Sequence, residues 1–340
     1  MDVRCIGILS NPYAGSGRER VLQLTKQAFD CLEPQVNEIY VGPGDMGEEV
    51  CKGKKVKVIG QNNTKTRIDT INTAKQMAEN GVELFVIVAG DGTYNDALEG
   101  MKSVNTDVPI FGIAGGRFNV IFPKRVHDPF VSMRGDFKPF LLKDLEVEDV
   151  RGLITRINNK IVSYGFFWVN ISNIIAHTDA NGGLAMIDAA QYIDGKIVPI
   201  TEIKPVATED TQVVVQSKVL GEIELGRGAD VFMPIVAHVV PELNQIMAGG
   251  FGAMAEALGF HGVAYCFPGA KFAFFPTPDT FPTTMRSVAF FAGDQVRFTN
   301  LRDNSVLCVD SSAIAPVKST DILTVEVVLE LGKKAVLKRS

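Results

Sequence analysis

The segment Ala89-Gly90-Asp91-Gly92-Thr93 places one carboxylate between two glycines, directly after an apolar run. Glycines let a ligand approach the backbone closely, and successive amide N–H groups can form a concavity that binds phosphate. A carboxylate at that point can accept a hydrogen bond from an attacking hydroxyl, and phosphoryl transfer depends mainly on such positioning. The pattern therefore predicts a phosphoryl-transfer site at Asp91. A plain Asp-Gly turn between a strand and a helix is the alternative interpretation.

Two further glycine-rich segments also follow apolar runs. Residues 10–18, SNPYAGSGR, open onto a helical pattern, where a helix N-terminus favours phosphate and Arg18 adds a positive charge. This segment lacks the lysine of a P-loop, and Arg20 occupies the last glycine position of GxGxxG. Residues 112–119, GIAGGRFN, form the third segment. Each one could be a structural turn, but three of them, each after a predicted strand, favour one shared nucleotide site.

Strand-like runs and helical periodicities alternate over the first 120 residues. The run VELFVIV at residues 82–88 is typical of a strand that is buried on both faces of a parallel sheet. The alternation predicts an open, mostly parallel, Rossmann-like α/β sheet, whose ligands bind outside the carboxyl ends of the strands. The expected strands cover residues 3–9, 36–41, 55–59, 82–88 and 108–113, and the expected helices cover residues 21–32, 69–80 and 95–101.

Short β-rich runs dominate from about residue 145 onwards, which predicts an antiparallel β domain. We therefore expect two domains: an α/β nucleotide- and phosphate-binding domain at residues 1–145 and a β-rich substrate domain at residues 146–340. The expected strands of the second domain are 151–157, 161–171, 212–216, 219–225, 272–276, 286–291, 295–299, 305–309 and 322–329.

Composition excludes several classes of protein. The chain has 340 residues, of which 46% are apolar, so ordinary hydrophobic cores are expected and overall disorder is excluded. A net charge of −5 gives no general electrostatic attraction to nucleic acid or to anionic membranes. The five cysteines form no CxxC pair, which argues against a zinc site or a disulfide framework. We expect a cytoplasmic protein with no nucleic-acid or membrane partner.

The order and spacing of the three segments resemble the NAD kinase and diacylglycerol kinase superfamily. Residues 11–17, NPYAGSG, look like its NPxAGxG motif, and residues 89–93, AGDGT, look like its hallmark GGDGT. Residues 112–119 align without a gap on the GIPAGTGN of the lipid-kinase branch. Asp69-Thr70 with the following helix and strand is nearest to the ATP- or polyphosphate-dependent NAD kinase-like group that includes acetoin-catabolism protein X relatives. The resemblance covers residues 5–120 and implies an NAD kinase-like fold with a second, β-sandwich-like domain.

The resemblance also implies an activity and a site. The chain would be a kinase that transfers a phosphoryl group from ATP or polyphosphate, with Mg²⁺, to the 2′-hydroxyl of NAD, giving NADP. Asp91 would be the catalytic base, no side chain is assigned as a metal ligand, and the family implies a homo-oligomer. The residues expected to bind nucleotide, phosphate or its Mg²⁺ complex are Asn11, Gly15, Gly17, Arg18, Gly90, Gly92, Thr93, Asn95, Asp96, Gly115, Gly116, Arg117 and Asn119.

Departures from the family pattern leave two alternatives open. Ala89 replaces the first hallmark glycine, and residues 117–120, RFNV, replace the TGND that lipid kinases carry. Asn170 and Asn173 are the nearest counterparts of the Asn-Glu pair of NAD kinases, but neither precedes a glutamate. One alternative is therefore a nucleotide-binding protein without catalysis, related to acetoin metabolism. The other is a lipid or sphingoid kinase, because Asn95-Asp96 resembles the Asn-Glu pair that follows GGDGT in that branch.

Overall fold

The computed structural model describes residues 1–14, 17–116, 121, 137–178, 184–200, 204–232, 234–239, 256–267, 285–310 and 312–338. The chain divides into two compact units, each with a hydrophobic core of its own. Unit 1 comprises Met1–Val150, His177–Ala185 and Gly332–Ser340, and unit 2 comprises Arg151–Ala176 and Met186–Leu331. Within the described ranges, no helix combines the length and the apolar character that crossing a membrane would require.

A parallel sheet forms the centre of unit 1. Its strands are β1 (Cys5–Ser10), β2 (Glu38–Val41), β3 (Lys57–Val58), β4 (Leu84–Ala89) and β5 (Ile110–Ala114). They lie in the order β5-β4-β1-β2-β3, and every neighbouring pair among them is parallel. All six residues of β4 are buried, as its unbroken apolar sequence requires. The prediction of an open, mostly parallel sheet is confirmed.

Three helices accompany this sheet: α1 (Arg18–Leu32), α2 (Arg67–Glu79) and α3 (Asp91–Lys102). The apolar face of α1 shares one core with β1, β2, β4 and β5. Helices α2 and α3 pack closely against each other, and Gly100 makes this possible. A Cβ atom at Gly100 would lie only 2.3 Å from the backbone oxygen of Ile71.

The strand order reverses at β1. Strand β2 pairs with one side of β1, whereas β4 pairs with its other side. In open α/β sheets, ligands bind at such a reversal, in the crevice outside the carboxyl ends of the strands. The segments that follow β1 and β4 therefore flank the position where this fold places a ligand.

Antiparallel strands make up most of unit 2. The remaining helices and strands of the chain are β6 (Leu145–Ile157), β7 (Lys160–Gly165), β8 (Trp168–Ser172), β9 (Ile174–Thr178), β10 (Leu184–Asp188), α4 (Ala189–Ile193), β11 (Ala207–Ser217), β12 (Gly221–Arg227), β13 (Pro234–His238), β14 (Gly262–Cys266), β15 (Arg286–Phe290), β16 (Gln295–Leu301), β17 (Ser305–Val309), β18 (Ser312–Val317) and β19 (Leu323–Leu337). Four of these strands, β6, β9, β10 and β19, have residues in both units. One set of strands has the order β12-β11-β16-β19, and a second sheet has the order β15-β14-β13-β8-β17-β18.

Side chains of both strand sets share one core in unit 2. Val213 and Phe298 come from the first set, and Ile171 and Leu307 come from the second. The two sets are thus packed face to face, as in a β-sandwich. The predicted antiparallel β-rich region is confirmed, while the strand expected at residues 272–276 lies outside the described residues.

Candidate active site

Asp91 is the first residue of α3 and is separated from β4 by Gly90 alone. A carboxylate in the first turn of a helix interacts favourably with the helix dipole. Asp91 is 7% exposed, and its Oδ1 accepts a hydrogen bond from the backbone N–H of Ile121 at 3.4 Å. The carboxylate is therefore buried at the sheet edge, with one oxygen bonded to a backbone N–H.

The hallmark segment is the start of a helix, whereas the sequence led us to expect a glycine loop that reaches Asn95. Gly90 has extended backbone and takes the N-cap position, so the helix begins at Asp91. The backbone N–H groups of Thr93 and Tyr94 both bond to the carbonyl of Gly90, at 3.1 and 3.4 Å. The expected start of this helix at Asn95 is thus wrong by four residues, because glycine lowered the apparent helical propensity of its first turn.

Ala89, the departure from the hallmark, is the last residue of β4 and is fully buried. Its methyl group is accommodated because the residue has strand geometry and needs no positive φ. The third glycine segment lies directly against it, since the Gly115 N–H donates to the Ala89 carbonyl at 2.6 Å. A Cβ at Gly115 would come within 3.2 Å of the Ala89 Cα, which explains a glycine at that position.

Asn11 connects the segment after β1 to the first turn of α3. Its Oδ1 accepts from the Tyr13 N–H at 3.0 Å, which shapes the turn, and its Nδ2 donates to Thr93 Oγ1 at 3.0 Å. Its own N–H donates to the Val88 carbonyl at 3.2 Å. With the Gly115 contact, these bonds bring all three glycine segments together at one sheet edge. The three segments thus converge at one sheet edge, as predicted.

Both helices that start beside the strand reversal have a glycine at the N-cap, directly before their first residue. Gly17 caps α1 with φ of 86°, Gly90 caps α3, and within the described residues neither helix receives a side-chain cap. Helix α2 is capped instead by Thr66, whose side chain accepts from the Ile68 N–H. Helix N-termini attract phosphate through their N–H groups and dipole. The two glycine-capped ends therefore suit an anionic ligand.

Arg18 is the first residue of α1 and forms an ion pair with Glu49 in the segment after β2, at 2.5 Å. The two side chains are 41% and 37% exposed. Pairs this exposed contribute at most about 1 kcal/mol, so little free energy holds the arginine in place. Glu49 carries no local sequence signal as a partner of Arg18, because 31 residues separate the two.

Asp96 is directed towards α2. Its Oδ1 accepts from Arg67 Nε at 2.9 Å, and Glu99 accepts from Arg67 Nη2 at 2.5 Å. Burial raises the pKa of Asp96 to about 6, while Arg67 acts in the opposite direction. Arg67 was not predicted from the sequence, and its only local signal is an arginine in the first turn of a helix, where the helix dipole disfavours a positive charge.

The remaining predicted residues divide into two groups. Gly92 and Gly116 lie in the converging segments, and Asn95 is buried within α3. Gly15, Arg117 and Asn119 lie outside the described residues. No group of three or more His, Cys, Asp or Glu side chains that could hold a metal ion occurs in the described part of the chain.

Residues 6–121 match the model of the ATP-NAD kinase N-terminal domain. The resemblance to the NAD kinase and diacylglycerol kinase superfamily is confirmed. Asn11, Asp91, Thr93 and Gly115 all lie within the matched residues. No curated protein matches the sequence.

Solved structures extend this superfamily likeness over the whole chain at the level of fold. Yeast NADH kinase complexed with NADH is 12% identical, with a TM-score of 0.53 over 100% of this chain and 84% of that chain. Two structures of a putative diacylglycerol kinase from Bacillus anthracis str. Sterne are 12% identical, with TM-scores of 0.53 and 0.52. Each covers 100% of this chain and 99% of its own. These likenesses show that the NAD kinase-like fold includes the β-rich unit.

Proposed function

We propose that the protein is a kinase that transfers a phosphoryl group from ATP or polyphosphate to the 2′-hydroxyl of NAD. The observation that carries this proposal is the placement of Asp91 at the strand reversal, next to the Asn11–Thr93 hydrogen bond that joins the segment after β1 to the glycine-capped start of α3. The match to the ATP-NAD kinase N-terminal domain and the fold shared with an NADH kinase support NAD as the acceptor.

Asp91 would accept the hydrogen bond of the attacking hydroxyl. Carboxylates are weak bases at neutral pH, so the larger contribution is to aim the hydroxyl oxygen at the phosphorus atom. The hydrogen bond from Ile121 and the burial of Asp91 restrict the orientations that the carboxylate can adopt. This preorganisation is what phosphoryl transfer requires of a protein.

The phosphates of the donor would lie against the first turns of α1 and α3. Gly17 and Gly90 lack side chains, so phosphate oxygens can approach the N–H groups there without a steric barrier. The Thr93 hydroxyl, held by Asn11, adds a polar group at the same place. Arg18 can leave its exposed pair with Glu49 at little cost and add a positive charge.

Mg²⁺ fits this donor set when it arrives with the phosphates. Mg²⁺ is commonly bound by one or two carboxylates together with substrate phosphates and water. Asp91 supplies a carboxylate at the site, and the described residues contain no preformed cluster of metal ligands that would bind the ion by itself. When bound, the ion would neutralise part of the negative charge of the phosphates.

The decisive experiment compares wild type with Asp91→Asn in a mixture of NAD, Mg²⁺ and either ATP or polyphosphate. We expect NADP formation by the wild type and a loss of about 10² to 10⁴-fold in the variant, the range for removal of a general base. Nucleotide binding, measured by calorimetry, should persist in the variant. Asp107→Asn is the matched control, because Asp107 is 45% exposed and pairs only with Lys102 among its described contacts. Equal activity of Asp91→Asn and wild type would contradict the proposal.

A lipid kinase is the second candidate function. It is favoured by the pair Asn95-Asp96 and by the fold shared with the two Bacillus anthracis structures. Phosphorylation of diacylglycerol or a sphingoid base in mixed micelles, with no NADP formed from NAD, would select it. Tight binding of ATP or NAD with no product from either assay would instead select a nucleotide-binding protein without catalysis.

A further inference from the structure

We propose that the Arg67–Asp96 ion pair is a positioning device for Asp91 and Thr93, and that Asp96 acts through Arg67 without contacting the ligand. This inference deepens the proposed function and rests on it for its kinetic test. The family resemblance places Asp96 among the ligand-binding residues. The carboxylate of Asp96 instead contacts Arg67 of α2.

The contacts of Asp96 lead away from the phosphate-binding segments. Its carboxylate meets Arg67 Nε at 2.9 Å, and the two side chains are only 10% and 17% exposed. Glu99, one turn further along α3, meets the other end of the same guanidinium. Arg67 therefore spans two successive turns of α3, a geometry that the planar fork of arginine provides and lysine cannot.

Arg67 is itself fixed at the start of α2. Thr66 caps this helix, and the carboxylate of Asp69 accepts hydrogen bonds from the N–H groups of Thr64 and Lys65, at 2.9 and 2.7 Å to Oδ2. These bonds fix the segment that leads into α2. The guanidinium thus extends from a rigid base and determines where α3 can lie.

Helix α3 carries this constraint to the reacting groups. Thr93 lies three residues before Asp96 and so occupies a neighbouring position on the helix surface. Asp91 lies one turn from Asn95 in the same continuous helix. The close packing at Gly100 fixes the distance between α2 and α3, while the ion pair fixes the position of α3 along and around its axis.

Stability alone does not explain the pair. Burying two charges costs desolvation free energy that their attraction often only offsets, so well-packed apolar residues would hold two helices together at least as well. A charged pair with directional hydrogen bonds does fix one relative position of the two helices. This matters for the reaction because a displacement of about 1 Å at a reacting group can lower the rate by about 10²-fold.

The test is a double-mutant cycle with Arg67→Met, Asp96→Asn and the double variant. We expect each single variant to lower kcat for NAD phosphorylation by about tenfold or more, with KM for NAD and ATP within about twofold of wild type. The double variant should be no worse than Arg67→Met, because Asp96 acts through Arg67. The proposal would be overturned if Asp96→Asn raised KM for nucleotide and if this effect added to that of Arg67→Met in the double variant. Such a result would show that Asp96 contacts the ligand directly.

Two further measurements separate positioning from general destabilisation. Arg156→Met is the matched control, because Arg156 and Glu326 form an ion pair of similar burial in unit 2, at 2.8 Å and 21% and 18% exposed. Arg156→Met should lower the thermal stability as much as Arg67→Met does, but it should leave kcat unchanged. Arg67→Lys keeps the charge but not the two-ended contact, so its kcat should lie between those of wild type and Arg67→Met.

Amide hydrogen exchange gives a readout that does not depend on turnover. Arg67→Met should speed exchange in a peptide covering residues 91–102 while leaving a peptide covering residues 18–32 unchanged. If the wild type forms no NADP but this local effect is present, the proposed function fails and the positioning role stands. Equal acceleration in both peptides would show a general loss of stability and overturn the inference.

Discussion

Asn11 Nδ2 lies 3.0 Å from Thr93 Oγ1, so that one hydrogen bond joins the segment after β1 to the first turn of α3. The bond crosses the point where the strand order reverses, between β1 and β4. Asn11 also shapes its own turn through Oδ1, which accepts from Tyr13. Two functions of one side chain can therefore be tested separately.

Removal of the Thr93 hydroxyl should weaken nucleotide binding. Thr93→Val keeps the shape of the side chain but removes the acceptor of the partly buried Asn11 amide, and a hydrogen bond of this kind contributes about 0.5 to 1.5 kcal/mol. We expect KM for ATP to rise by about tenfold, with Thr93→Ser as the control that retains the hydroxyl. Steady-state kinetics with ATP as the varied substrate measures the effect, and equal KM values for the two variants would contradict it.

Asn11→Asp should separate the two contacts of Asn11. The variant keeps an acceptor for the Tyr13 N–H but loses the donor to Thr93 and brings a negative charge close to the expected phosphates. Its thermal stability should therefore stay near that of wild type while nucleotide affinity falls. Isothermal calorimetry with ATP and a melting curve report the two quantities, and tight binding by the variant would exclude phosphate from this segment.

Gly100→Ala should destabilise unit 1, although alanine normally favours a helix by about 0.5 to 1 kcal/mol over glycine. The added Cβ would lie 2.3 Å from the Ile71 carbonyl oxygen and 3.0 Å from the Lys75 N, and backbone atoms cannot move aside cheaply. We expect a loss of about 1 to 3 kcal/mol in the free energy of unfolding, measured with urea. A stabilised variant would show that α2 and α3 are packed less closely than described.

His238 should make the protein less stable in mild acid. Burial lowers the pKa of His238 to about 4, and the charge of Arg151 acts in the same direction. Because the folded pKa lies below the unfolded value, the unfolded chain binds the proton first, and stability is lost as the pH falls from about 6.5 to 4. A shift of this size amounts to about 3 kcal/mol. Urea denaturation across this pH range should show the loss in wild type, and His238→Gln should remove that part of the slope.

Asp96 should contribute a pH dependence of opposite sign. Because burial raises the pKa of Asp96 to about 6, the folded chain holds this proton more tightly than the unfolded chain does. Its contribution is fully present below about pH 4 and is lost as the pH rises through 6. Titration of the Asp96 carboxyl carbon by NMR measures the pKa directly. Arg67→Met should move the pKa higher, because the guanidinium favours the charged form. A pKa below 4 in wild type would show that the attraction of Arg67 outweighs the effect of burial, and would contradict the predicted pH dependence.

The sequence was sufficient to predict the sheet and the position of the site. Apolar runs end at glycine segments, and in a parallel sheet these ends share one edge, so the approach of residues 11, 90–93 and 115 to each other follows from local patterns and one rule of topology. The β-rich character of the second half followed from the same kind of pattern. The family resemblance likewise rests on three short segments, residues 11–17, 89–93 and 112–119, and on their spacing along the sequence.

Only the tertiary structure decided which charged groups pair. Arg67 is 29 residues from Asp96, and Arg18 is 31 residues from Glu49, so no periodicity links the partners. It also decided that Asp91 begins a helix, because the contact of β4 with β1 and β5 sets where that strand ends and where the N-cap glycine falls. Local sequence sets the propensity of each residue for helix or strand. The direction in which a polar side chain faces, and the charge it carries, depend on its burial and its long-range partners. Burial and long-range partners are decided only when the chain is folded.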